Sequence, residues 1–65
     1  MKIRLNGAEK ETASGTVAHL LTELDLPRQT VLVERNGLAL RREEWDAAPL
    51  REGDSIELLR ISAGG

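Results

Sequence analysis

The sequence closes on Ser62-Ala63-Gly64-Gly65, a bare Gly-Gly directly after a strand-like run. The chemistry available there is that of the Gly65 carboxylate itself. Gly64 and Gly65 have no Cβ, so such a segment can lie extended in a channel where any side chain would clash. The carboxyl group of Gly65 is as unhindered as a peptide acid can be. This suits activation by another enzyme, with the domain in front of it serving as a handle. The expectation is that Gly65 carries the modified carboxylate, with Ala63 and Gly64 forming the tail that delivers it. Residues 63–65 are expected to be flexible, because glycines at a terminus lose much entropy on ordering.

The run that leads into this tail, Ser55 to Ser62, reads as the last strand. Alternation puts Ile56 and Leu58 on one face with Arg60, and Leu59 and Ile61 on the other with Glu57. If Ile56 and Leu58 face a core, Leu59 and Ile61 form an outward apolar pair beside the tail. Such a pair is a plausible docking patch. A bulge that turned Leu59 or Ile61 back into the core would remove it. Arg60 sits close enough to the tail to steer it toward an acidic partner groove.

Earlier elements must position that strand. Lys2 to Leu5 alternates charged and apolar residues, the pattern of a half-buried strand. Asn6-Gly7 then marks a type I′ hairpin, whose two central positions need positive φ. The return strand, Glu9 to Ala13, is almost wholly polar and belongs at a sheet edge. Val17, Leu20, Leu21 and Leu24 recur at helical spacing, with Thr16 as N-cap and an end by about Asp25 ahead of Pro27. Val31 to Val33 forms a β-branched-rich strand, and Asn36-Gly37 repeats the turn signal before a short strand, Leu38 to Leu40. Arg41 to Trp45 reads as one helical or 3₁₀ turn, and Gly53-Asp54 as a turn. One helix on a mixed sheet of four to five strands is a two-layer α+β domain. Its core face would be formed by Ile3, Leu5, Val31 or Val33, Ile56 and Leu58, and the first and last strands could be central parallel neighbours.

Composition excludes several functions. At 65 residues the chain makes one domain, 1–65, with one small core. It contains no cysteine, which removes disulfides, thiolate metal sites and a persulfide carried on this chain. A single histidine, His19, leaves no His/Cys cluster for zinc, and no metal site is expected. Nine basic against eleven acidic residues, with Trp45 the only aromatic, give neither a basic face nor a stacking platform for nucleic acid. No signal peptide or membrane-length apolar run is visible. A cytoplasmic domain, monomeric when free and binding no cofactor, is expected.

The order of elements, with Asn6-Gly7, Thr16-Val17 opening a helix with Leu20-Leu21, and Val33-Glu34-Arg35-Asn36-Gly37, resembles the ubiquitin-like β-grasp fold. Arg41-Arg42-Glu43-Glu44-Trp45, Leu50, Gly53-Asp54, Ile56-Glu57-Leu58-Leu59 and Ala63-Gly64-Gly65 narrow the resemblance to the ThiS family, the sulfur carriers of thiamine biosynthesis. The resemblance spans essentially the whole chain. It implies that a ThiF-like adenylating enzyme uses ATP to convert the Gly65 carboxylate to an acyl-adenylate. Sulfur from a donor such as a cysteine desulfurase then replaces AMP to give a thiocarboxylate. A ThiG-like thiazole synthase takes up that sulfur. The chain would be a protein cosubstrate with no catalytic residues of its own.

Three other functions fit parts of the sequence. The small subunit of a molybdopterin synthase shares the fold and the Gly-Gly thiocarboxylate, but tends to be longer and richer in Phe. A ubiquitin-like modifier shares the adenylation step and predicts isopeptide conjugates. A passive interaction module predicts an incidental Gly-Gly. His19 lies off the helical stripe and is expected to be solvated. Trp45 is either a partner anchor or the cap of an aromatic-poor core, with the cap favoured. Arg41 to Glu44 reads as a solvated face, and the Asn-Gly pairs as turn chemistry alone.

Overall fold

The computed structural model of the chain describes residues 1–61; the expected flexible tail at 63–65 lies outside the described residues. Strand β1 (Lys2–Leu5) turns into β2 (Ala8–Glu11), followed by helix α1 (Val17–Glu23), β3 (Val31–Arg35), β4 (Leu38–Leu40) and β5 (Ser55–Arg60). Single 3₁₀ turns at Arg28–Thr30 and Arg42–Glu44 lie in the connections. The sheet has five strands in the order β2-β1-β5-β3-β4. β1 and β5 are parallel, and the other pairs are antiparallel. The polar β2 is an edge strand, as its charge requires.

Both Asn-Gly turns adopt the left-handed backbone that a primed hairpin needs, with φ of 50° and 83° at Asn6 and Gly7 and 52° and 85° at Asn36 and Gly37. The helix start is capped by both local and distant groups. Thr16 Oγ1 accepts from the His19 amide at 3.1 Å, and Thr16 O accepts from Leu20 at 3.0 Å. The two remaining first-turn amides, Val17 and Ala18, donate to the carbonyls of Ala48 and Trp45. Three orphan donors thus find partners, two of them from a segment almost thirty positions away, and Leu20 makes the first regular helical bond. The helix ends in a Schellman motif. Asp25 takes φ 58°, its amide donates to Thr22 O, and the Leu26 amide reaches back to Leu21 O.

The helix lays Val17, Leu20 and Leu21 on one face of the sheet. They meet Ile3, Val31, Val33 and Ile56 there, while Leu5, Leu24 and Leu58 pack at the margins. Val31 and Val33 are both buried, so the core uses both ends of that apolar run. Trp45 is 1% exposed and fills the space between the 3₁₀ turn and the helix. It is part of the core, and its ring cannot reach a partner.

A polar knot ties the end of β2 to α1. The Glu23 carboxylate accepts from the Thr12 and Ser14 hydroxyls and pairs with Lys10 Nζ at 3.0 Å. These donors, led by Thr12, favour the charged form and hold Glu23 at about 2, against an ordinary 4.5. The folded pKa is depressed, so the knot contributes fully above 4.5 and its contribution is lost as pH falls toward about 2. The Glu23→Gln chain, which cannot titrate there, is expected to show a flatter dependence of urea midpoint on pH across that window than the wild-type chain. Parallel curves would show that the knot does not couple to folding.

Candidate functional site

The tail emerges from β5, and the sheet holds that strand from both sides. Leu5 and Ile56 are register partners on the β1 side. On the β3 side the register runs unbroken from Arg35↔Ile56 to Val31↔Arg60. The turn asparagines extend this grip. Asn6 donates its amide to Ile56 O at 2.9 Å and accepts from the Leu58 amide on Oδ1 at 2.8 Å. Asn36 Oδ1 accepts from the Ser55 amide at 2.9 Å, and Asn36 Nδ2 donates to the buried Asp54 at 3.2 Å. The Asn-Gly pairs therefore do more than turn the chain, as their side chains also clamp β5. Past the strand, the Ile61 amide still donates to Thr30 O at 2.7 Å.

The unbroken register excludes a bulge between Ile56 and Arg60. Leu59 and Ile61 are 52% and 41% exposed, on the face away from the helix. Leu32 lies directly across from Leu59 and is 49% exposed. Cross-strand pairs of this kind bring Cβ atoms to about 5 Å, so the leucines form one apolar surface with Ile61 at its edge. Leu32 was not singled out from sequence. Its signal was available, since Val31 and Val33 buried on one face leave Leu32 on the other.

Arg60 is exposed but points with Ile56 and Leu58, to the opposite side of the strand from Leu59. The structure therefore brings two of the three expected docking residues together and sets Arg60 apart from them. His19 is exposed on the helix. Arg41 to Glu44 are all exposed, as expected, and Arg42 has long-range partners besides. Its guanidinium donates to the carbonyls of Arg28 and Gln29 and lies 5.9 Å from the Trp45 ring centroid. The chain turns there, and Arg42 supplies the donors those carbonyls need. Gly65, Gly64 and Ala63 lie outside the described residues. Among the described residues no helix is long and apolar enough to cross a membrane.

The profile of the ThiS family matches residues 3–65, almost the full sequence and the terminal Gly-Gly with it. The chain belongs to the ThiS family. The sulfur carrier protein ThiS of Escherichia coli is 32% identical over 66 residues, covering 100% of both chains. The crystal structure of the thiamine biosynthesis protein ThiS from Geobacter metallireducens superposes with a TM-score of 0.85 at 33% identity, again covering 100% of both chains. A thiazole synthase of Magnetococcus marinus is 38% identical over 66 residues, but the chain spans only 20% of that protein's length. The β-grasp expectation holds, with five strands and one helix.

Proposed function

We propose that this ThiS-family chain is a sulfur carrier for thiamine biosynthesis, with Gly65 as the loaded residue. The observation that carries this is the family match through Gly65, joined to an exposed apolar surface on the strand that leads to it. A carboxylate is a poor acylating agent. Attack of a Gly65 oxygen on the α-phosphorus of ATP releases pyrophosphate and leaves an acyl-adenylate, a mixed anhydride with AMP as leaving group. The terminal sulfur of a persulfide displaces AMP, and a thiol reductant releases the Gly65 thiocarboxylate. The described surface would bind the ThiF-like adenylating enzyme through Leu59 and Ile61, with Leu32 between them and β4, while Arg60 steers the tail from the other face.

Thiazole synthase is the acceptor in this proposal. Support comes from the relative of that name, one region of which is similar to the whole of this chain. The chain itself acts as cosubstrate, and ATP binds to the adenylating enzyme.

The test is an intact-mass spectrum after incubation with ATP, a ThiF-like adenylating enzyme, a cysteine desulfurase with cysteine, and a thiol. The expected result is a gain equal to replacing one oxygen by sulfur, localised to Gly65. An unchanged mass, under conditions that load the Escherichia coli carrier, would count against the proposal. Conjugates of higher mass linked to lysines would move the assignment to a protein modifier.

A further inference from the structure

Next to the leucine pair on the outer sheet face, Glu34 of β3 and Glu57 of β5 are register partners. Like charges directly opposite one another on a sheet destabilise it. Among the described residues neither carboxylate lies in an ion pair, although other acids of the chain are paired. The cations at the β1 end of this face are engaged elsewhere. Lys2 lies 3.9 Å from Glu9, and Arg4 donates to Gly7 O at 2.7 Å. The sheet therefore holds a repulsive pair, without a neutralising partner among the described residues, one row from its exposed apolar surface.

We propose that this face docks a segment of the adenylating enzyme that sets an arginine or lysine between Glu34 and Glu57 and an apolar side chain on Leu32 and Leu59. The inference rests on the carrier function proposed above and specifies its docking partner by charge. A guanidinium placed between the two carboxylates turns their repulsion into two charge-assisted hydrogen bonds. The apolar contact beside it excludes water and strengthens that attraction. A bound metal ion is the poorer match, because no third ligand stands near. Among the described residues no group of three His, Cys, Asp or Glu is placed to hold one. A second copy of the chain is also a poor match, since the face would present carboxylates to carboxylates.

The test compares the wild-type chain with a Glu34→Gln/Glu57→Gln chain, each titrated into the adenylating enzyme at low and at physiological salt. The double variant is expected to bind on the order of tenfold more weakly at low salt, with a shallower salt dependence. Alone, it is expected to melt no lower than wild type, because the substitution removes repulsion without removing packing. This combination, weaker binding from a fold at least as stable, is what a purely structural pair would not give. Equal affinity and equal salt dependence, with wild type binding normally, would overturn this inference alone. Wild type that binds no adenylating enzyme would overturn it together with the carrier function. Self-association of the wild-type chain lost in the double variant would assign the face to a second copy and overturn it as well.

Discussion

Deleting Gly65, or appending a single residue after it, is expected to abolish thiocarboxylate formation while leaving thermal unfolding unchanged. The two halves of this prediction have separate physical grounds. Every buried apolar residue of the described core lies between Ile3 and Ile56, so that core is assembled from upstream residues alone. The reacting atoms, in contrast, are those of the Gly65 carboxyl group. Removing Gly65 moves the carboxylate one residue back, about 3.5 Å short of its place in an extended chain. A displacement of about 1 Å in a reacting group already lowers rates by about two orders of magnitude. Appending a residue turns the carboxylate into an amide carbonyl, which cannot attack ATP. Intact-mass spectrometry reads the loading, and circular dichroism the melting curve. An extended chain that still accepted sulfur, without being trimmed, would show that Gly65 is not the loaded residue. A passive module would tolerate both changes.

The extent to which this molecule is legible in its sequence follows the range of the forces involved. The Asn-Gly turns, the Thr16 cap and the alternation of the last strand are local effects, set by φ preferences and by period-2 or period-3.6 burial. All appear in the structure close to their expected positions. The outward orientation of Leu59 and Ile61 was legible for the same reason, once Ile56 was assigned to the core. Leu32 was missed because either of Val31 and Val33 alone was assigned to the core; alternation with both buried already turns Leu32 outward. Only the pairing with β5 sets Leu32 against Leu59. The Glu34–Glu57 pair was hidden in the same way, since cross-strand neighbours depend on register. Arg42 belongs to a charge run that local reasoning leaves in solvent, and it is exposed, but the carbonyls its guanidinium engages come from a turn thirteen residues earlier. The Asn6 side chain likewise reaches a strand fifty-two residues away. The long-range partners of side chains are what local reasoning does not reach.

The Trp45→Ala chain is expected to lose about 3–5 kcal/mol, a large share of its stability. A domain of this length has a total of only about 3–10 kcal/mol to lose. Trp45 is the sole aromatic residue, 1% exposed, and the largest of the fully buried side chains. Its indole Nε1 donates to Leu40 O at 3.3 Å, and the guanidinium of Arg28 lies 5.3 Å from its ring centroid, with Arg42 near as well. Truncation therefore leaves a cavity between the helix and the 45–50 segment and removes a platform for two cations. That segment also supplies the carbonyls that cap the Val17 and Ala18 amides, so its loosening would fray the helix start. Urea unfolding followed by circular dichroism measures the loss directly. The Trp45→Phe chain separates packing from hydrogen bonding, because it keeps most of the apolar volume and loses the indole donor. It is expected to lose only about 1 kcal/mol for that neutral bond, with some further loss of packing. It also tests the placement of Trp45 in function. A buried core ring contributes nothing to docking, so the folded Trp45→Phe chain should be loaded with sulfur as fast as wild type. A large loss of loading from a stable Trp45→Phe chain would mean that the ring leaves the core to meet a partner, against its position under Arg28 and Arg42.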